Sequence, residues 1–313
     1  MNNISQRDAF WNKVYELAKA DERVVIVSAD MGAPSLDRIR KEIPSQFINV
    51  GIAEQNAITL AAGLALSGKK VFAYAIAPFI TIRCLEQIRV ENAIMKIPIT
   101  IVGIGAGFGY EDAGPTHHLI EDVAMLRSMP NIVINTMTDS VMASAFASIS
   151  YSSQTTNYLR IFRQNLPDIY PANNDFTKGL AVLKESKDFY LIATGSMTHM
   201  ALEVSNELKK RKIDAGVIDV FTVPINQKLF IERIKKVKKI ITLEEHFLPG
   251  GLGSAVCEIL NDNGIRIPVK RIGIPTDKGY CYKYGGIDVI RKYYEIDGDS
   301  VCKQVKDFIK QRQ

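Results

Sequence analysis

Glu54 is the only ionisable side chain in "FINVGIAEQNAITLAAGLALSG" (Phe47 to Gly68), where it heads an Ala-rich segment suited to close packing. A carboxylate at a helix start is favoured by the exposed N–H groups and the dipole there. If partly desolvated, it can also hold and exchange a proton near neutral pH. Two further stretches carry chemically capable groups. The Gly-rich "GIGAGFGYEDAGPTHH" (Gly103 to His118) ends in His117 and His118, imidazoles that can pass a proton to a hydroxyl or a developing alkoxide. "AIAPFITIRCLEQIR" (Ala75 to Arg89) places an isolated aromatic, Phe79, just after a strand. Beyond them Arg163, in "FRQNLP", is a cation just after the apolar run "YLRIF". Each has a plainer alternative: a helix-start carboxylate, a core phenylalanine, a surface histidine pair, an exposed structural arginine.

The elements that must position these residues follow from the alternation of short β-branched runs with helical stretches, which indicates an α/β fold with helices layered on parallel sheet. The expected strands of the first half are Val24 to Asp30, Val71 to Ala75, Ile99 to Gly105, Asn131 to Thr136 and Tyr158 to Phe162. Ala57, Leu60, Ala61, Leu64 and Ala65 recur on one helical face of small residues, suited to a tight helix–helix contact. The loops bearing Phe79 and His117 then leave the carboxyl ends of neighbouring strands, the edge where open α/β sheets bind ligands. A stretch rich in Pro, Asn and Asp, "QNLPDIYPANNDFTKGL", interrupts the pattern, which restarts at "FYLIATG". The expected division is a first domain over 1–170, a linker over 171–186 and a smaller α/β domain over 187–313.

Composition narrows the function classes. A chain of 313 residues exceeds the usual single core. No apolar run approaches the roughly 20 residues that span a bilayer, and "MNNISQRDAFWNK" lacks the apolar centre of a signal peptide. Cys84, Cys257, Cys281 and Cys302 lie far apart with no CxxC pair, which fits reduced cytoplasmic thiols better than a disulfide framework or a zinc site. The net charge of +5 is modest, and its densest patch, "ERIKKVKK", reads as a solvated helix face rather than a nucleic-acid surface.

Taken in order, "NVGIAEQN", "APFITIRCLEQIR", "GPTHHLIEDVAMLRSMPN" and "IFRQNLP" resemble the transketolases, and "EEHFLPGGLGSAV" resembles their C-terminal domain. The resemblance covers essentially the whole chain. It is strongest to the small separate subunit of split transketolases, which carries a thiamine-diphosphate pyrimidine-binding domain followed by the C-terminal domain. That implies transfer of a two-carbon ketol unit from a ketose to an aldose. It also implies roles by position: Glu54 hydrogen-bonds the cofactor's aminopyrimidine and favours its imino tautomer, Phe79 stacks on that ring, and Asp30 lies near the thiazolium. Ile82 stands where the family usually has a second aromatic. His117 and His118 face the sugar hydroxyls, and Arg163 binds the sugar phosphate, with Ser35 and Arg7 as weaker matches to phosphate contacts. Asp112, in "EDAGPTH", matches a hydroxyl-recognition residue but sits one residue further from the histidine than in the family's "EDGPTH".

The family's diphosphate and Mg²⁺ site needs a Gly-Asp-Gly turn with a later Asn. The near match here, "IDGDS" (Ile296 to Ser300), leaves no room for that Asn. The resemblance therefore implies that an N-terminal diphosphate-binding subunit supplies those ligands, in an α2β2 assembly. Alternatives are the beta subunit of a 2-oxo acid dehydrogenase, a deoxyxylulose-phosphate-synthase-like enzyme and, in another class, a non-catalytic scaffold.

Overall fold

Continuous apolar runs such as "VVIVS" have no polar alternation, the mark of strands buried on both faces. In the computed structural model, which describes residues 4–311, such runs form the middle of two sheets. The chain divides into two units, one running to Gly109 and from His117 to Thr177, the other comprising Tyr110–Thr116 and everything from Lys178 onward.

The first unit runs α1 (Gln6–Ala20), β1 (Val24–Ser28), α2 (Pro34–Glu42), β2 (Phe47–Asn49), α3 (Glu54–Leu66), β3 (Lys70–Ile76), α4 (Ala77–Ile80), α5 (Leu85–Gln87), β4 (Thr100–Ile104), α6 (Asp122–Leu126), β5 (Ile132–Thr136), α7 (Ser140–Ser152) and β6 (Thr156–Ile161). Its strands lie in the order β5-β6-β4-β3-β1-β2, and every pair is parallel. All carboxyl ends therefore share one edge. Helix α1 starts at Ser5, whose side chain accepts the Asp8 N–H, and buries Phe10, Trp11 and Val14 completely. Trp11 meets Tyr74 of β3 edge-on at 4.8 Å, which fixes the helix over the sheet.

Helix α3 differs from the face read in the sequence. Its buried stripe is Glu54, Ala57, Ile58, Ala61 and Ala62, while Leu60, Leu64 and Ala65 are half-buried. Small residues encircle much of this helix, so periodicity alone does not fix its rotation. Glu54 thus occupies the first position of the stripe facing the protein.

The second unit contains β7 (Leu180–Lys184), β8 (Phe189–Ala193), α8 (Ser196–Lys210), β9 (Gly216–Val220), β10 (Thr222–Val223), α9 (Gln227–Ile234), β11 (Lys239–Phe247), α10 (Leu252–Asp262), β12 (Val269–Ile274), α11 (Ile287–Tyr294) and α12 (Gly298–Lys310). Its sheet order is β12-β11-β8-β9-β7, with β7 antiparallel to β9. The segment 171–186, expected as a linker, therefore contains an edge strand. "LAVLK" follows so closely on a Pro- and Asn-rich stretch that it does not stand out as a separate run. "IDGDS" forms the start of α12, where the Asp297 side chain caps the Ser300 N–H. Among the described residues, no helix is long and apolar enough to cross a membrane.

Candidate active site

The strand order of the first unit lays out the chemically capable residues along one edge. Glu54 follows β2, Asp30 follows β1, Phe79 follows β3, His117 lies in the connection after β4, and Arg163 follows β6. The sequence anticipated this carboxyl edge for the loops bearing Phe79 and His117.

Three of these side chains, Glu54, Phe79 and His117, are joined in series with a fourth, Arg83. Glu54 is 4% exposed, and its Oε2 accepts a 2.6 Å hydrogen bond from Nη1 of Arg83, whose side chain is 42% exposed. The Arg83 guanidinium carbon lies 4.2 Å from the centre of the Phe79 ring, within cation–π range. Phe79 in turn meets His117 at 5.1 Å between ring centres, with the planes at 71°. Gln55 donates from Nε2 to the Arg83 carbonyl at 3.1 Å, which anchors the arginine's backbone to α3. Cys84 donates its thiol to the Phe79 carbonyl, and burial, helped by the charge of Glu54, pushes that thiol up to about 12. Cys84 is therefore a packing residue, not a nucleophile, at neutral pH.

The turn that delivers Glu54 is held by Asn49, whose Oδ1 accepts from the N–H groups of Asp30 and Gly51. Asp30 itself has φ of 52°, a left-handed conformation uncommon outside Gly, Asn and Asp. A paired bridge, Gly107 N–H to the Leu119 carbonyl and Leu119 N–H to the Gly107 carbonyl, closes the loop that carries His117. Behind it, buried Asp122 accepts from Nε and Nη2 of Arg160 at 2.7 and 3.1 Å and from the Tyr158 hydroxyl at 2.7 Å. All three side chains are fully or almost fully buried. The pair ties α6, and so the end of the histidine loop, to β6.

The remaining sequence candidates fall in different places. His118 is buried at 3% exposure, edge-on to Phe108, while its neighbour His117 is half-buried. Ile82 is 38% exposed. Arg7 pairs with Asp8 at 3.1 Å in the first turn of α1. The adjacent Gln6 accepts the Phe162 N–H at 3.0 Å, which brings that turn beside the segment carrying exposed Arg163. Ser35 lies in the first turn of α2, and its side chain is outside the described part of the structure. Asp112 is exposed and belongs to the Tyr110–Thr116 segment grouped with the second unit.

Sequence reasoning passed over Arg83, Asn49, Asp122 and Arg160. Arg160 carried a readable signal, because a charge inside the apolar strand "YLRIF" demands a buried partner. Arg83, flanked by Ile82 and Cys84 in a short irregular segment, has no strand or helix period to say which way its side chain points. In chemical terms, the cluster presents a flat aromatic face beside a buried carboxylate, with an imidazole at the far edge. A planar, nitrogen-bearing ring laid on Phe79 could exchange a proton with Glu54 while the imidazole serves a hydroxyl.

Residues 2–168 match the family model of the transketolase pyrimidine binding domain, and residues 179–301 match that of the transketolase C-terminal domain. The chain is 34% identical over 313 residues to one subunit of an apulose-4-phosphate transketolase of Phocaeicola vulgatus, covering 99% of each. It is 33% identical over 271 residues to a 6-deoxy-6-sulfo-D-fructose transketolase subunit of a Clostridium species, covering 86% of this chain and 84% of that one. Among solved structures it is similar to a split gene transketolase described as an inactive beta4 tetramer, with TM-score 0.87 at 30% identity over 99% of both chains. Two domain models in series and full-length likeness to separate transketolase subunits agree with the edge that carries Glu54, Phe79 and His117: the chain belongs to the transketolase family, as a transferase with the domain content of a split-transketolase beta subunit.

Proposed function

We propose that this chain is the pyrimidine-binding subunit of a two-chain, thiamine-diphosphate-dependent transketolase that moves a two-carbon ketol unit from a ketose phosphate to an aldose phosphate. The observation that carries the proposal is the buried Glu54 carboxylate beside the Phe79 face, with a planar cation already making both contacts. A guanidinium that hydrogen-bonds the acid and stacks on the ring is a stand-in for a flat nitrogen heterocycle, so these residues fit the pyrimidine end of the cofactor.

Bound thiamine diphosphate would supply the nucleophilic carbon that attacks the ketose carbonyl and carries the two-carbon unit. Glu54 holds a proton at the ring nitrogen that faces it, and its burial shields that exchange from water. Phe79 fixes the plane of the ring, with Ile82 as part of the pocket wall, and Asp30 serves the thiazolium end. His117 takes and returns protons at substrate hydroxyls. Arg163 grips the phosphate, with Arg7 and Ser35 as weaker candidates for further phosphate contacts by their family positions, while Asp112 and His118 contribute to hydroxyl recognition. For His118 its burial favours a supporting role behind His117.

The diphosphate and Mg²⁺ ligands belong to a partner subunit, in an α2β2 heterotetramer that works in the cytoplasm. Support comes from the lack of a Gly-Asp-Gly turn with its Asn, from the helix-capping role of Asp297 in the near match, and from four free cysteines. The relative from Phocaeicola vulgatus is also described as one subunit of a transketolase. The direct experiment compares the purified chain alone with the chain mixed with a subunit carrying the missing turn. Ketol transfer should require both chains, thiamine diphosphate and Mg²⁺. Full turnover by this chain alone, or acetyl products from pyruvate in the complex, would overturn the proposal.

A further inference from the structure

Arg83 is not needed to keep Glu54 in place. The carboxylate stands on the buried stripe of α3, and the α3 backbone positions it. Yet Arg83 makes two specific contacts at once, the 2.6 Å bond to Glu54 and the 4.2 Å stack over Phe79. Its side chain is 42% exposed, so nothing encloses it and a path to solvent is open. Its backbone is pinned through the carbonyl to Gln55, so the side chain can leave without moving the segment that holds Phe79.

We infer that Arg83 is an internal latch that occupies the pyrimidine position in the cofactor-free chain, keeping the Glu54 carboxylate paired and the Phe79 face covered until the cofactor's aminopyrimidine ring displaces it. The inference deepens the proposed function and rests on it. A guanidinium and an aminopyrimidine are both planar, present N–H donors along one edge, and stack on aromatic rings. They cannot share one carboxylate oxygen and one ring face. Cofactor entry therefore exchanges one stacked, hydrogen-bonded plane for another, and the buried acid is never left facing water without a partner. The displaced guanidinium moves to the solvent side of the ring, at the mouth of the site. A latch closed nine-tenths of the time raises the apparent Kd about tenfold.

The latch can be read on the chain by itself, without turnover, from the rate at which phenylglyoxal modifies Arg83, followed by peptide mass spectrometry. Arg83 should react slowly in the wild-type chain and about threefold faster in Glu54→Gln, whose amide oxygen still accepts from the guanidinium but without the charge, because the guanidinium is reactive only while the latch is open. In the complex with the diphosphate-binding subunit, adding thiamine diphosphate and Mg²⁺ should speed modification of Arg83, the reverse of the usual ligand shielding. Calorimetry on the same complex should give about tenfold tighter cofactor binding for Arg83→Met, with Arg83→Lys in between and a smaller gain, about threefold, when Glu54→Gln is also present. Equal reactivity of Arg83 in the wild-type and Glu54→Gln chains, or cofactor binding by Arg83→Met no tighter than wild type, overturns the latch. A wild-type complex that binds no thiamine diphosphate overturns the proposed function, and displacement with it, while the reactivity of the isolated chain still reports separately on the Arg83–Glu54 contact.

Discussion

Replacing Glu54 with Gln separates chemistry from folding, because the structure gives the two effects different sizes. The substitution keeps the shape of a side chain that is 4% exposed and removes only its charge and its ability to hold a mobile proton. Its ion-pair partner, Arg83, is 42% exposed, so solvent screens the pair and its contribution to stability is about 1 kcal/mol or less. A Gln carbonyl can still accept from Arg83 Nη1, which trims that loss further. For a chain of this size the melting midpoint should therefore move by no more than about 4 °C. Removing acid–base function should lower ketol-transfer activity at least about 100-fold, equivalent to about 2.7 kcal/mol of barrier. The assay is transfer from a ketose phosphate to an aldose phosphate in the assembled complex, with gel filtration and thermal melting on the same preparation. Intact assembly with activity within about threefold of wild type would refute the assignment of Glu54 and favour a scaffold role. A loss of activity that merely tracks unfolded protein would refute the claim that Glu54 acts chemically.

Three further outcomes follow from geometry away from that carboxylate. Asp122→Ala leaves Arg160 charged and buried, so calorimetry should find a destabilisation of about 3–5 kcal/mol and a midpoint lower by roughly 10 °C; a shift below about 2 °C would show that the pair does not hold the histidine loop. In Gly251→Ala the new Cβ would lie 1.9 Å from Oε2 of Glu244, the carboxylate that accepts the Leu252 and Gly253 N–H groups at the start of α10. Losing those two charge-assisted bonds should cost at least about 3 kcal/mol in urea unfolding. In alkali, the folded chain keeps the Cys84 proton, with its thiol pushed up to about 12, while the unfolded chain loses it near pH ~8.5. Stability from the neutral thiol is thus fully present below pH ~8.5 and is lost as pH rises toward 12, with a slope of about 1.4 kcal/mol per pH unit. Denaturation between pH ~9 and ~11 should show Cys84→Ala with a shallower slope than wild type, and identical slopes would contradict the burial argument. Tyr190, raised to about 12 by burial and its bond to Glu185, should leave a residual slope in both.

By itself the sequence determined the local properties of this protein. Runs such as "VVIVS" and "ITIVGIG" identified parallel strands, and the loops following them identified one edge bearing Phe79 and His117. These readings hold because strand and helix formation, and the exit of a loop from a strand end, depend on residues close in the chain. Tertiary structure decided which side chains meet across that edge. The order β2-β1-β3-β4-β6 brings Arg83 onto Glu54 across 29 positions and Arg160 onto Asp122 across 38. Packing against the sheet selected which face of α3 is buried, because Ala, Leu and Ile surround so much of that helix that no single rotation is favoured locally. Packing likewise gave the adjacent histidines opposite environments, His117 against Phe79 and His118 buried on Phe108. Strand β7 was obscured for the same reason: an edge strand forms when β9 is there to pair with it, and its five residues carry too little signal to declare it alone.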